Sequence, residues 1–361
     1  MKRVLIIKLW ALGDILMATP LLTALKSQYP ECEITWVAES SHADILLGHP
    51  LINELIRFDS GKWRRLLRKG LLWSWWKEAR HHNSEMRQRD FDAVVNCHPE
   101  KWWTRIFCAA PVRIGLFPSE RLPLMQRLYT MSLAKPPRLH NTDNYLRALE
   151  ALGLTGPFDR HMALHLSPEE REAARDFLLG EPGYRPSLPM IILHPGTSQP
   201  SKCWPVESFA ALAGMLPEYN IVLTGSWREQ NLAQAVSAGM PEEDRRPLIA
   251  AGRLSIKAAA ALVELAAGVV TGDTAILHIA SALGTPLVGL YGSSRPGDNA
   301  PLFGPHTLLF DAGVACAPCY REHCPLSGND ILKCQKAITP RQVFAALTSL
   351  LKETHERSSP D

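Results

Sequence analysis

The stretch K-R-V-L-I-I-K-L-W-A-L-G-D-I-L-M-A-T-P, residues 2–20, decides the fold of this chain. It begins with an apolar run typical of a buried parallel strand, continues through a Gly-Asp turn, and ends in Thr19-Pro20, which marks a helix start. Further apolar runs, separated by helical patterns, are predicted as strands at 33–38, 52–58 and 91–96. The alternation predicts a parallel sheet covered by helices, and so an α/β fold.

The same alternation restarts after the proline-rich segment 180–189, which we interpret as a linker. Before it, Ser167-Pro168 opens a helix with the sequence of a capping box. Strands are predicted to begin at Met190, Asn220, Gly268 and Pro286. Helices are predicted from Pro205, over about 229–238, from Ser255, and over 274–283. This order predicts a second doubly wound domain.

A chain of 361 residues exceeds the roughly 250–300 at which single cores stop growing, so two domains are expected. We predict an N-terminal Rossmann-like domain over 1–180 and a C-terminal Rossmann-like domain over 190–338. Residues 339–361 are predicted to form a last helix with a polar tail.

Composition excludes several classes of protein. The chain is 46% hydrophobic and 21% charged, which is ordinary for a globular protein, and its net charge of +3 does not suggest nucleic-acid binding. The sequence contains no run of about 18 consecutive apolar residues, so no membrane-spanning helix is predicted. Lys8 and Asp14 interrupt the N-terminal run, so we predict a buried strand there and no signal peptide. The eight cysteines without an export signal then indicate a reducing cytoplasm.

Two charged residues follow strands at positions suited to group transfer. Asp14 lies in a strand-to-helix turn, where a carboxylate can take the proton of an attacking hydroxyl; a helix cap is the alternative. Lys202 lies a few residues beyond a strand end, where an ammonium can offset charge on a departing diphosphate; a solvated loop lysine is the alternative.

The segment 271–278, T-G-D-T-A-I-L-H, opens a helix directly after a strand, and free amides at such a start favour a diphosphate. A capping or orienting role for Asp273 is as plausible as ligand contact. His278 lies one helical turn after Thr274, where it either touches phosphate or is structural. Glu229 either accepts hydrogen bonds from a ribose or simply begins a helix.

Together, four stretches resemble the heptosyltransferases of glycosyltransferase family 9 over nearly the whole chain: residues 8–20, 194–205, 223–229 and 271–278. The resemblance implies a GT-B fold, in which two Rossmann-like domains face a cleft, the N-terminal one binding the acceptor and the C-terminal one the ADP-sugar. It also implies that the last helix crosses back to the first domain. It also implies inverting, metal-independent transfer of heptose from ADP-L-glycero-D-manno-heptose to a lipopolysaccharide inner-core acceptor. By this resemblance the catalytic residues are Asp14 and Lys202. The donor-binding residues are Thr197, Ser198, Lys202, Glu229, Gly272, Asp273, Thr274, Ala275 and His278.

Other functions stay open from sequence alone. A protein O-heptosyltransferase would use the same donor, and a non-catalytic GT-B scaffold would bind nucleotide without turnover. Intact Asp14 and Lys202 argue against the scaffold. An oxidoreductase is disfavoured because the first turn lacks the G-x-G-x-x-G pattern.

Four cysteines form a C-x2-C-x4-C-x9-C pattern: Cys316, Cys319, Cys324 and Cys334. Four thiolates at this spacing can close a tetrahedral Zn or Fe site of structural character, and reduced cysteines without a metal are the alternative. Some family members carry a similar cluster, which holds iron in the autotransporter-modifying branch. Neither interpretation makes a metal catalytic.

Residues 62–77, K-W-R-R-L-L-R-K-G-L-L-W-S-W-W-K, interleave cations with aromatic side chains. This composition suits peripheral contact with an anionic membrane surface or with phosphorylated lipid A and core sugars. The alternative is an amphipathic helix that packs on the sheet and exposes a solvated basic face. The expected location is therefore cytoplasmic, at a membrane surface.

Overall fold

The computed structural model describes residues 1–99, 101–116, 127–240 and 246–358. The chain forms two compact units, Met1–His165 and Leu166–Asp361, and each has its own sheet. Residues 180–189, predicted as a linker, precede the first strand of the second unit. The predicted domain ranges stay predictions.

The first unit is built on a six-stranded parallel sheet in the order β3-β2-β1-β4-β5-β6. Its strands are β1 Arg3–Ile7, β2 Glu33–Glu39, β3 Glu54–Phe58, β4 Ala93–Asn96, β5 Val112–Leu116 and β6 Met131–Leu133. Its helices are α1 Leu12–Ala18, α2 Pro20–Gln28, α3 Ser60–Arg68, α4 Leu72–Gln88 and α5 Asn141–Ala151, with 3-10 turns at Ala43–Leu46 and Trp102–Phe107.

The second unit repeats this topology with the order β12-β11-β10-β7-β8-β9, again parallel. Its strands are β7 Met190–His194, β8 Asn220–Leu223, β9 Leu248–Ile249, β10 Gly268–Gly272, β11 Leu287–Tyr291 and β12 His306–Phe310. Its helices are α6 Pro168–Leu179, α7 Val206–Gly214, α8 Gln230–Ala238, α9 Ile256–Leu265, α10 Ala275–Leu283, α11 Pro296–Asn299, α12 Lys333–Lys336 and α13 Pro340–Ser358. Its 3-10 turns are Pro200–Lys202, Trp227–Glu229 and Gly328–Asp330.

The central strands form the cores because they are apolar on both faces. Val4, Leu5, Ile6 and Ile7 of β1 are all fully buried, as expected for a strand covered by helices on both sides. The second core includes Val343 and Leu347 of α13, which packs on α7 and on β10–β12. The predicted crossing of this helix to the first domain stays a prediction.

The predicted doubly wound α/β architecture is confirmed in both units. The capping box at Ser167 is present, with the Ser167 side chain accepting from the Glu170 backbone and the Glu170 side chain accepting in return. The sequence did not predict β5, β6, β9 and β12. In the described part of the chain, no helix is both long and apolar enough to cross a membrane.

Candidate functional site

Strand order fixes where ligands can bind. In each sheet the order reverses between two central strands, β1 and β4 in the first unit and β7 and β10 in the second. The chain leaves these neighbours in opposite directions, which opens a crevice at their carboxyl ends, and open α/β sheets bind ligands there. Three of the four segments singled out from the sequence follow β1, β7 and β10, and the fourth, 223–229, follows β8.

In the first unit, Asp14 lies in the first turn of α1 and pairs with a buried lysine. The Lys8 ammonium is 3.3 Å from Asp14 Oδ2 and donates to the Trp10 carbonyl at 2.9 Å. The Lys8 side chain is 2% exposed, whereas that of Asp14 is 34% exposed. No side-chain hydrogen bond caps α1, so Asp14 is held by an ion pair and remains accessible.

His98, which follows β4, joins this group. Its Nε2 lies 3.5 Å from Lys8 Nζ, and its ring packs on Trp10 with centroids 4.6 Å apart. Sequence reasoning missed Lys8 and His98 as site residues. The available signal was a lysine inside an apolar strand run, since a charge there needs a partner.

In the second unit, Lys202 and Asp273 form a largely buried ion pair. Lys202 Nζ lies 2.6 Å from Asp273 Oδ2, and the two side chains are 18% and 5% exposed. Lys202 ends a 3-10 turn after β7, and Asp273 directly follows β10. The two strands are neighbours, so residues 71 positions apart meet at the reversal point.

Two further side chains hold Asp273. Ser294 donates to Oδ2 at 2.8 Å and Asn299 donates to Oδ1 at 2.7 Å. Burial alone would raise the pKa of Asp273, but the Lys202 ammonium and the hydrogen bond from Ser294 hold it below its ordinary value. The carboxylate therefore stays ionised and orients Lys202. Ser294 lies in the loop after β11 and Asn299 ends the short helix α11, and neither position carried a sequence signal.

The start of α10 borders this pair. Thr274 is the N-cap residue and its side chain caps no backbone amide; its hydroxyl lies 2.8 Å from that of Thr271. Ala275 begins the helix, and Gly272 ends β10 close to the Lys202 carbonyl. The first amides of α10 thus remain available for an anion. His278 is buried, and a positive charge on its ring would lower the pKa of Asp273.

The other predicted donor contacts surround the loop after β7. Ser198 is exposed, whereas the Thr197 hydroxyl donates to the Gln199 carbonyl at 2.6 Å. Glu229 accepts from the Ser226 amide at 2.7 Å in a capping box. Its carboxylate lies so close to Gly196 that any Cβ there would overlap it. Glu229 thus lies at a helix start, as in the alternative considered above, and also caps the preceding turn, while its contact with a ribose stays a prediction.

The four-cysteine segment, residues 314–335, packs beside this site. Burial raises the pKa of the Cys334 thiol, and the thiols of Cys316, Cys319 and Cys324 raise it further. Gln335 is fully buried, and neither its amide nitrogen nor its oxygen has a hydrogen-bond partner. Across the described ranges, no three His, Cys, Asp or Glu side chains are grouped as a metal site.

The basic aromatic segment folds as α3 and α4. Trp63 and Trp75 face inward and pack edge to face, with centroids 5.3 Å apart. The junction of the two helices instead exposes apolar side chains, which we call the apolar tip: Leu71, Leu72, Trp73 and Trp76, 46%, 63%, 73% and 43% exposed. The segment thus packs as an amphipathic structure, which was the alternative to membrane contact. That alternative did not predict the exposed apolar tip.

A model of glycosyltransferase family 9 (heptosyltransferase) matches residues 79–329. The chain is 27% identical over 328 residues to lipopolysaccharide heptosyltransferase 1 of Pseudomonas aeruginosa, covering 89% of this chain and 87% of that protein. Comparable relatives include lipopolysaccharide heptosyltransferase 2 of Escherichia coli, 26% identical over 84% of this chain and 86% of that protein.

Solved structures share the fold. The structure of the ADP-heptose lipopolysaccharide heptosyltransferase II of E. coli superposes with a TM-score of 0.76 at 23% identity, covering 98% of this chain and 100% of that one. The iron-containing dodecameric glycosyltransferase TibC of enterotoxigenic E. coli superposes with a TM-score of 0.56 at 15% identity, covering 98% and 77%. The fold class is GT-B, as the sequence predicted.

Replacing Asp273 by Asn should lower the free energy of unfolding at pH 7 by roughly 3 kcal/mol, because the largely buried Lys202 ammonium loses its carboxylate. The pKa of Asp273 is lowered by folding, so this stabilisation is complete above the unfolded value, about pH 4, and is lost as the pH falls through the folded value. The deficit of the variant in urea unfolding should therefore shrink below about pH 4.

The matched control is Asp330→Asn, which breaks an exposed ion pair with Lys333 at 3.2 Å. This variant should lose less than about 1 kcal/mol. Equal losses from the two substitutions would contradict the assignment of Asp273 as the anchor of Lys202.

Proposed function

Because the chain belongs to glycosyltransferase family 9, the heptosyltransferase family, we propose that it transfers a heptosyl group from ADP-L-glycero-D-manno-heptose to a lipopolysaccharide inner-core acceptor, with inversion at the anomeric carbon. It is a glycosyltransferase. Support for the donor and the acceptor comes from relatives that are lipopolysaccharide heptosyltransferases, one of them an ADP-heptose enzyme. The observation that carries the proposal is the Lys202–Asp273 ion pair beside the free start of α10.

We propose that Asp14 is the general base. As the acceptor hydroxyl attacks the anomeric carbon, its proton passes to the Asp14 carboxylate, and the bond from the anomeric carbon to the diphosphate oxygen breaks. The buried Lys8 ammonium at 3.3 Å keeps the carboxylate in one orientation. The partial exposure of Asp14 leaves it accessible to a hydroxyl group.

Lys202 would stabilise the leaving ADP. Its ammonium is already held in place by Asp273, so little reorganisation is needed as negative charge grows on the leaving oxygen. The amides at Thr274 and Ala275 would bind the same diphosphate through the positive end of α10. Thr197, Ser198, Glu229 and His278 are proposed as further donor contacts, and Gly272 as the residue that lets the backbone approach.

We further propose that the enzyme works in the cytoplasm, in peripheral contact with an anionic membrane surface. The apolar tip is flanked by the exposed cations Arg64, Arg68, Lys69 and Lys77. Trp73 and Trp76 stack with centroids 5.1 Å apart, and Arg80 lies over the Trp76 ring at 5.2 Å. Exposed aromatic side chains with cations nearby suit the interface of an anionic bilayer.

Among the residues that the structure describes, the four cysteines are not grouped as a metal site, and we propose that they draw together around one structural Zn or Fe ion. Thiolates are the preferred ligands of both metals, and the buried unpartnered amide of Gln335 indicates a polar centre at this place. TibC, which shares the fold, contains iron. Such an ion would stabilise an otherwise irregular segment, and no step of the transfer reaction requires it.

Transfer is tested by incubating the enzyme with ADP-heptose and a panel of truncated lipopolysaccharides. The wild type should glycosylate one inner-core acceptor, whereas Asp14→Asn should lose about 10²–10⁴ in turnover because an amide cannot take the proton. ADP affinity and thermal stability should be retained. Near-normal turnover by Asp14→Asn would exclude this residue as the base, and a heptosyl group found on a polypeptide by mass spectrometry would identify a protein acceptor instead.

Membrane contact is tested with vesicles of stated anionic lipid content. Replacing Arg64, Arg68 and Lys69 by Gln should weaken vesicle binding at low salt, and the deficit should shrink at high salt because the attraction is screened. Trp73→Ser should weaken binding at every salt concentration. The control variant replaces Lys2, Lys101 and Arg138 by Gln, which removes the same number of positive charges outside α3 and α4. Equal losses of vesicle binding in the two triple variants would refute a docking surface at α3 and α4.

Metal content is tested by elemental analysis of protein purified without chelators, which should carry about one Zn or Fe ion per chain. Cys319→Ser should lose the metal and lower the melting temperature more than it lowers turnover at saturating donor. Cys108→Ser, outside the cluster, should keep the metal. Four titratable thiols in the cluster of metal-free wild type would contradict the proposal.

A further inference from the structure

The backbone of the four-cysteine segment touches the residue that precedes Lys202. The Ser201 amide donates to the Glu322 carbonyl at 3.1 Å, and the Ser201 hydroxyl donates to the Arg321 carbonyl. Ser201 is 2% exposed, and its hydroxyl also lies 3.1 Å from that of Ser293. The 3-10 turn that ends in Lys202 is therefore anchored to this segment by hydrogen bonds from one buried serine.

The same segment also reaches the residues around Asp273. The Tyr320 amide donates to the Ser293 carbonyl at 2.7 Å, and the Tyr320 hydroxyl donates to Asp298 Oδ2 at 2.8 Å. Ser294, next to Ser293, donates to Asp273, as does Asn299, next to Asp298. Residues 320–322 thus contact Ser201, Ser293 and Asp298. Each of these is next in the chain to one of the three residues that bind the Asp273 carboxylate.

Tyr320 adopts an uncommon backbone conformation at this junction, with a φ of +54°. A bulky residue rarely occupies the left-handed region, and it stays there only when the surrounding contacts hold it. The hydrogen bonds that the Tyr320 amide donates to Ser293 and the Tyr320 hydroxyl donates to Asp298 are such contacts.

From these contacts we propose that residues 320–322 are a positioning element for the Lys202–Asp273 ion pair, with Tyr320 as its key side chain. The inference rests on the proposed role of Lys202 in binding the donor diphosphate. A lysine has four rotatable side-chain bonds, and an ammonium already fixed by its surroundings loses less freedom when it binds an anion. Loosening the segment should therefore weaken diphosphate binding through Lys202.

The test measures the affinity for ADP by calorimetry, which does not depend on the acceptor or on turnover. Tyr320→Phe keeps the ring but removes the bond to Asp298, and should weaken ADP binding about three- to tenfold. The KM for the donor should rise by a similar factor, whereas the KM for the acceptor and the melting temperature should stay unchanged. Tyr184→Phe, a matched substitution in the same unit, should leave ADP affinity unaltered.

A double-mutant cycle then separates this inference from the proposed function. If Tyr320 acts through Lys202, Tyr320→Phe should have no further effect on ADP affinity in a Lys202→Ala background. A Lys202→Ala variant with wild-type ADP affinity would refute the proposed role of Lys202. If Lys202→Ala weakens binding but Tyr320→Phe does not, or if the effect of Tyr320→Phe persists in full without Lys202, the positioning role is refuted.

Discussion

The second unit depends on placing two opposite charges together away from water. Burying an ion pair costs solvation that attraction alone seldom restores, so the remaining acceptor positions must also be filled. Asp273 meets that requirement with hydrogen bonds from Ser294 and Asn299. These contacts require that β7 lies beside β10 and that the segment after β11 reaches Asp273. The strand order β12-β11-β10-β7-β8-β9 places all three strands next to one another.

The first unit has a related arrangement with the exposures reversed. At the reversal point between β1 and β4 the lysine is buried and the aspartate reaches solvent, whereas in the second unit the aspartate is the more buried partner. In each pair the buried charge holds the other in place. The proposed mechanism uses the accessible member each time, a carboxylate that accepts a proton in one unit and an ammonium that faces a diphosphate in the other.

The sequence predicted the central strands because both of their faces are apolar, which leaves continuous runs such as those of β1 and β7. It missed β6 and β9, which have only three and two residues, and the edge strand β12, whose side chains are only partly buried. Short or half-exposed strands lack a continuous apolar run, and their pairing depends on neighbours distant in the chain.

The same reasoning explains which site residues were found. Asp14, Lys202 and Asp273 lie in segments that follow apolar strands, so local pattern was sufficient to select them. His98 lies 90 residues from Lys8, and Ser294 and Asn299 lie 21 and 26 residues from Asp273. These groups come together only through the order of strands in the sheet. A local sequence pattern does not contain that order. The partners of Ser201 in the four-cysteine segment were hidden for the same reason.

The order of elements along the chain also has a consequence for synthesis on the ribosome. Every strand of the first sheet has been made by Leu133, and the first unit ends at His165, so it can complete its folding while the second is still being translated. The second sheet has no such advantage. The buried Val343 and Leu347 of its covering helix are made after every strand of the second sheet, so the apolar face that they cover stays open until that helix has emerged.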